Sequence, residues 1–204
     1  MKETSAKPAL RISHIVHGRM HVGNRVHYLI DPKGKVSEHA VPESVVLKRW
    51  RKRQFPNHTF SGARLSSTLW RAVHQAFGGN LSQWVGRSVL EIDENIKINR
   101  VGLKAGDYLS LPSAETLHAL FMTCGLVRLQ TIIARHTSSE HKCKSGVPDL
   151  FLFATNQTTG LPTIARFVEV KKPEEPASAV QLAEIDFLNG LGLHARVLWL
   201  IEAE

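Results

Sequence analysis

The sequence predicts an α/β fold, a mixed central sheet flanked by helices, preceded by an α+β N-terminal region. Three observations carry this prediction. Apolar residues recur at helical spacing in residues 66–77 and 113–124. Two stretches rich in β-branched and aromatic residues, 150–154 and 164–171, are parted by the polar tract Thr155-Asn156-Gln157-Thr158-Thr159-Gly160, which reads as strand, turn, strand. The chain then runs through a helical stretch, opened by Ser178, into the apolar strand Val197-Leu198-Trp199-Leu200-Ile201.

Taken in order, residues 14–30 alternate loosely and predict two short strands around Gly23-Asn24, and Asp31-Pro32-Lys33-Gly34 predicts a turn. Residues 42–53 predict a helix with Val45, Val46 and Trp50 on one side. Residues 66–77 predict a second, with Leu69, Trp70, Val73 and Phe77 in register, stopped by Gly78-Gly79-Asn80. A third short helix is expected over 81–89. The acidic, then alternating tract 91–99 is read as a turn followed by a strand. In residues 113–124, Ser113 precedes a helix whose Leu117, Leu120, Phe121 and Cys124 share a face, while residues 126–135 fit helix and strand equally. A helix from Ser178 to about Leu191 ends near Gly190 and Gly192. A right-handed crossover through it sets strand 197–201 beside strand 164–171, in parallel.

Charge is divided unevenly. Residues 1–110 hold 18 Lys and Arg against 8 Asp and Glu, and residues 111–204 hold 8 against 10, which together give the net charge of +8. The chain is therefore divided at 110 into a basic N-terminal region, a candidate for binding DNA or a partner, and a slightly acidic second half. Attraction for a polyanion is expected from the first. Its densest point is Lys48-Arg49-Trp50-Arg51-Lys52-Arg53, where Arg49, Arg51, Lys52 and Arg53 are candidate phosphate contacts and Trp50 either stacks on a base or packs in the core. Cys124 and Cys143 are the only cysteines and make neither a zinc pattern nor a disulfide framework. No run of eighteen apolar residues and no signal-like start is present, so a cytoplasmic site of action is expected, with delivery by a dedicated secretion machine as the exported alternative. His14, His17, His21 and His27 match no closed metal site.

The chemistry concentrates in Gly146-Val147-Pro148-Asp149-Leu150 and, twenty residues on, Glu169-Val170-Lys171. Side chains alternate along a strand, so Glu169 and Lys171 share a face and Val170 turns to the other. Asp149, opening the neighbouring strand, is expected beside Glu169. Two close carboxylates repel unless a divalent cation joins them, and magnesium, for which manganese substitutes, favours such oxygen donors and retains a water for attack. Lys171 orients that water or stabilises charge at phosphorus. The competing reading takes Asp149 as a turn residue after Pro148, and Glu169 with Lys171 as an exposed strand pair. His136 and His141, with Arg135, Lys142 and Lys144, precede Asp149 and are candidates for phosphate contact, against a solvated loop.

These segments resemble the VRR-NUC branch of the PD-(D/E)xK nuclease superfamily. The resemblance runs through Gly146 to Leu150, Phe167-Val168-Glu169-Val170-Lys171-Lys172-Pro173, Gln181 and Leu191-Gly192-Leu193-His194-Ala195-Arg196-Val197, with an upstream acid, Glu115, at a helix start. It covers about residues 111–204 and implies a restriction-endonuclease-like core. It implies metal binding by Asp149, Glu169 and the Val170 carbonyl, Lys171 as catalytic lysine, Glu115 as a further metal or water ligand, and Gln181 as a supporting residue. Lys172 stands where the family pattern has glycine and adds a positive charge beside the site, joining His141 and Lys144 as a nucleic-acid contact. The implied activity is divalent-metal-dependent hydrolysis of DNA, in a structure-selective repair or phage enzyme or in an antibacterial toxin whose partner is an immunity protein. The alternative is a nucleic-acid-binding module with a decayed site.

Overall fold

The computed structural model describes residues 12–22, 25–29, 42–99, 111–138, 146–172 and 175–202. Six strands form one mixed sheet in the order β2-β1-β6-β5-β4-β3. β1 (Ile12–Val22) and β2 (Arg25–Leu29) pair antiparallel. β3 (His58–Arg64), β4 (Leu150–Asn156) and β5 (Pro162–Lys171) are successively antiparallel. β6 (Ala195–Glu202) runs parallel to β5, as the helical crossover predicts, and also parallel to β1 on its other side.

Side-chain alternation sorts two cores. Leu150, Leu152, Val168, Val170 and Leu198 face α1 (Pro42–Arg51), which lays Val45, Val46 and Trp50 on them. Phe151, Phe153, Phe167 and Val197 point the other way, into a larger core with the remaining helices. These are α2 (Leu69–Phe77), α3 (Leu81–Trp84), α4 (Val89–Asn99), α5 (Ala114–Thr137) and α6 (Ala179–Gly190). Phe151 and Phe167 are almost fully buried with ring centroids 5.0 Å apart. Truncating either to alanine costs about 3–5 kcal/mol.

The structure corrects the sequence reading in several places. The tract 91–99 is helix α4, because Ile92 and Ile96 fall one turn apart and both are buried. Its start carries a reciprocal cap: Glu91 Oε2 accepts from the Ser88 N–H at 2.9 Å, and Ser88 Oγ accepts from the Glu91 N–H at 3.3 Å. Residues 126–135 continue helix α5 beyond a kink at Gly125. α5 is long and apolar enough to cross a membrane by composition, yet its Leu117, Leu120, Phe121, Leu129, Ile132 and Ile133 lie in the core. β3 was not foreseen. β1, β2 and β3, which precede residue 110, share one sheet with β4 to β6. The turn at 31–34 and Cys143 lie outside the described residues.

Candidate active site

Antiparallel pairing opposes Leu150 to Val168, so the residue before β4 meets the end of β5. Asp149 and Glu169 are thereby brought together, as their spacing predicts. Asp149 Oδ2 accepts a 2.7 Å hydrogen bond from the Val170 N–H. Glu169 and Lys171 are 3% and 5% exposed, so the reading as an exposed strand pair is excluded. Lys171 Nζ lies 3.1 Å from Glu169 Oε1 and 3.5 Å from Glu175 Oε1.

Gln181 joins them from the first turn of α6. Its Oε1 accepts from the Ser178 N–H at 2.9 Å, completing a capping box, while its Nε2 donates to Glu169 Oε1. The helix start therefore fixes the amide that orients the carboxylate, and the role expected of Gln181 has a physical basis. Val170 enters by its N–H, and Lys172 is exposed on the rim.

The electrostatics are strained toward protonation. Burial, and next the charge of Asp149, pushes the Glu169 carboxyl up to about 7. Burial also raises that of Asp149, against the Val170 N–H that lowers it, with a further push from Glu43. Lys171 is opposed by burial, but its hydrogen bond to Glu169 and the charges of Glu169, Glu175 and Asp149 hold it above its ordinary value. One ammonium thus faces more negative charge than it neutralises, an arrangement that fits a divalent cation.

Glu43 was missed by sequence reasoning. It sits in the first turn of α1, with its Oε2 buried and without a hydrogen bond, 4.0 Å from Arg64 Nη2. Its position in the first turn of a helix was the only local signal, and that signal has an ordinary reading as a partner of the helix dipole. Glu115 also lies in a first turn, that of α5, where Ser113 caps the helix, but it is exposed and makes no hydrogen bond or ion pair with Asp149, Glu169 or Lys171. Among the described residues no three His, Cys, Asp or Glu side chains are grouped as an ion site.

Other expectations resolve differently. Trp50 does not stack on a base: it is 5% exposed, and its Nε1 donates to the Ser61 and Phe153 carbonyls at 2.9 and 3.0 Å. Arg49, Lys52 and Arg53 remain exposed, Arg53 over the Trp50 ring, whereas Arg51 donates to the Gly62 carbonyl at 2.7 Å. His136 and Arg135 do not reach for phosphate: they bond the buried Glu184 carboxylate at 2.9 and 3.1 Å, tying α5 to α6. His141, Lys142 and Lys144 lie outside the described residues, as do the side chains of His14, His17, His21 and His27.

Paired carboxylates, a buried lysine and an amide that orients one acid thus meet at one sheet end. Residues 112–199 match the family profile of the VRR-NUC domain, so this part of the chain is similar to that domain. No curated protein matches the chain. Among solved structures, it is similar to crystal structures of paFAN1 bound to 5′-flap DNA with a gap. The complex with a 2-nucleotide flap is 12% identical at a TM-score of 0.49, with 100% of this chain covered. That with a 1-nucleotide flap is 14% identical at a TM-score of 0.49, with 98% covered. The chain spans 39% of the length of these proteins.

Proposed function

We propose that this protein is a divalent-metal-dependent endonuclease that hydrolyses phosphodiester bonds in DNA. The observation that carries this reading is the meeting of Asp149, Glu169, Lys171 and Gln181 at one sheet end, within a domain of nuclease family. Asp149 and Glu169 would hold magnesium or manganese, with the Val170 carbonyl and Glu43 as the further oxygen donors at hand. Bound there, the ion supplies an acidified water and neutralises charge at phosphorus.

The chain's own residues do the rest. Gln181 holds one Glu169 oxygen, and the Val170 N–H holds Asp149, so both carboxylates keep their directions. Lys171, raised above its ordinary value, stays an ammonium at neutral pH. It therefore acts as an electrostatic stabiliser of a phosphoryl oxygen and not as a proton acceptor. Arg49, Lys52 and Arg53, exposed at the C-terminal end of α1, together with Lys172, attract the DNA backbone without reading sequence. A decayed site is disfavoured because each acid is in contact with the groups that would position it.

The test is plasmid nicking by the full chain. Cleavage with magnesium or manganese that stops in EDTA is expected. Full activity in EDTA overturns the two-carboxylate mechanism.

A further inference from the structure

At the end of β5 remote from Glu169, a cleft of about 260 Å³ opens between the kink of α5, the start of β5 and the turn leading into β6. Its lining includes Arg128, His194, Thr123, Thr163 and Gly192, over a floor that includes Phe167, and contains no acid. Two backbone features shape it. Gly125 adopts φ 65°, and the break it makes separates Thr123 from Arg128 in direction. Gly192 adopts φ 75°, with Arg128 Nη2 beside it, 3.6 Å from where a Cβ would stand. L side chains rarely adopt either conformation. The Arg128 guanidinium, exposed, makes no ion pair or hydrogen bond among the described residues.

We propose that this cleft is an anion site that takes a phosphate group, with Arg128 as its main donor and His194 beside it. A guanidinium offers paired N–H donors that match phosphate oxygens, and among the described residues no carboxylate lines the cleft to compete for them. Positive charge already reaches inward from Arg128: it partly offsets the burial that pushes the Cys124 thiol up to about 12. Thr163 on its rim is six residues along β5 from Glu169, roughly 20 Å at strand rise, so the mouth of the cleft is separate from the paired carboxylates. The phosphate comes either from the backbone of the DNA substrate or from a free phosphate ester. The first source rests on the nuclease reading above, and the second does not.

Thermal melting of the full chain in EDTA, titrated with inorganic phosphate against chloride at equal ionic strength, tests the site without metal or cutting. Phosphate is expected to raise the Tm of the wild type and to have a much smaller effect on Arg128→Met and His194→Ala. The same scans show that both variants fold. Equal stabilisation of wild type and Arg128→Met, or none in either, overturns the site. Binding of a labelled oligonucleotide in EDTA then separates the sources. Affinity for DNA roughly five- to tenfold weaker in Arg128→Met assigns the phosphate to the substrate backbone. Unchanged DNA affinity with phosphate binding abolished assigns it to a free phosphate ester. Loss of nicking in every condition would defeat the nuclease reading and leave the phosphate titration intact.

Discussion

The protonation of Glu169 links stability, metal binding and pH. Its carboxyl stands at about 7 against an ordinary 4.5, first because burial penalises the anion and next because Asp149 lies beside it. The folded chain therefore holds a proton that the unfolded chain releases. The stability tied to that proton is complete below the unfolded value and is lost as pH rises through about 7. A difference from 4.5 to about 7 corresponds to at most about 3 kcal/mol, and Glu169 is 3% exposed, so solvent screening removes little of it. The perturbation is Glu169→Gln, which keeps the shape and an oxygen for the Gln181 and Lys171 donors while removing the titration. Urea unfolding in EDTA between pH 5 and 8.5 should show the wild type losing about 1–3 kcal/mol relative to Glu169→Gln across that range. Magnesium should reverse the trend for the wild type alone, stabilising little at pH 5.5 and most above 7, because it binds the ionised acid. Parallel pH profiles for the two proteins, or equal stabilisation by magnesium at every pH, would refute the reasoning.

The remaining predictions concern single roles. Lys171→Met should lower kcat by about 10²–10³ while DNA affinity in EDTA is unchanged, since the ammonium acts at the charged transition state; a wild-type kcat would remove it from the mechanism. Gln181→Ala should cost about 1 kcal/mol in urea unfolding through removal of the capping box. It should also weaken the magnesium dependence of nicking, because Glu169 loses the donor that orients it; unchanged magnesium titrations would leave Gln181 a helix cap alone. Glu43→Gln should reduce nicking and Glu115→Gln should not, as only Glu43 bears on Asp149; the reverse ranking would restore Glu115 as the upstream acid. Neutralising Arg49, Lys52 and Arg53 should weaken DNA binding alike for all sequences and lower the salt slope by roughly 0.9 for each phosphate no longer neutralised. An unchanged slope would reassign these cations to a solvated surface.

Much of the candidate site is legible in the chain because it is built from short-range relations. Glu169 and Lys171 are two apart on one strand, so alternation alone puts them on a face, and the turn at 155–160 returns the chain so that Asp149 meets them. Ser178 and Gln181 are three apart at a helix start, the spacing a capping box requires. One signal of the same kind was present and misread: Ser88 and Glu91 have the capping-box spacing, but the isoleucines at 92, 96 and 98 suggested alternation. Which period held was decided by burial, because Ile92 and Ile96 enter the core while Ile98 is 76% exposed.

The sequence by itself determined the class of fold and the candidate site in which Asp149, Glu169, Lys171 and Gln181 meet. Tertiary structure alone brought Glu43 near Asp149. Glu43 and Glu115 are indistinguishable as first-turn acids, and the approach of Glu43 follows from α1 packing on the β4–β5 face through Val45, Val46 and Trp50. It decided as well that Trp50 and His136 serve the core, since a buried indole or imidazole must find partners, and these lie far away in sequence, at Ser61, Phe153 and Glu184. It also decided that strands from the basic half complete the sheet. Pairing between β1 and β6 depends on backbone groups that every residue carries, so no side-chain pattern announces which strands become neighbours.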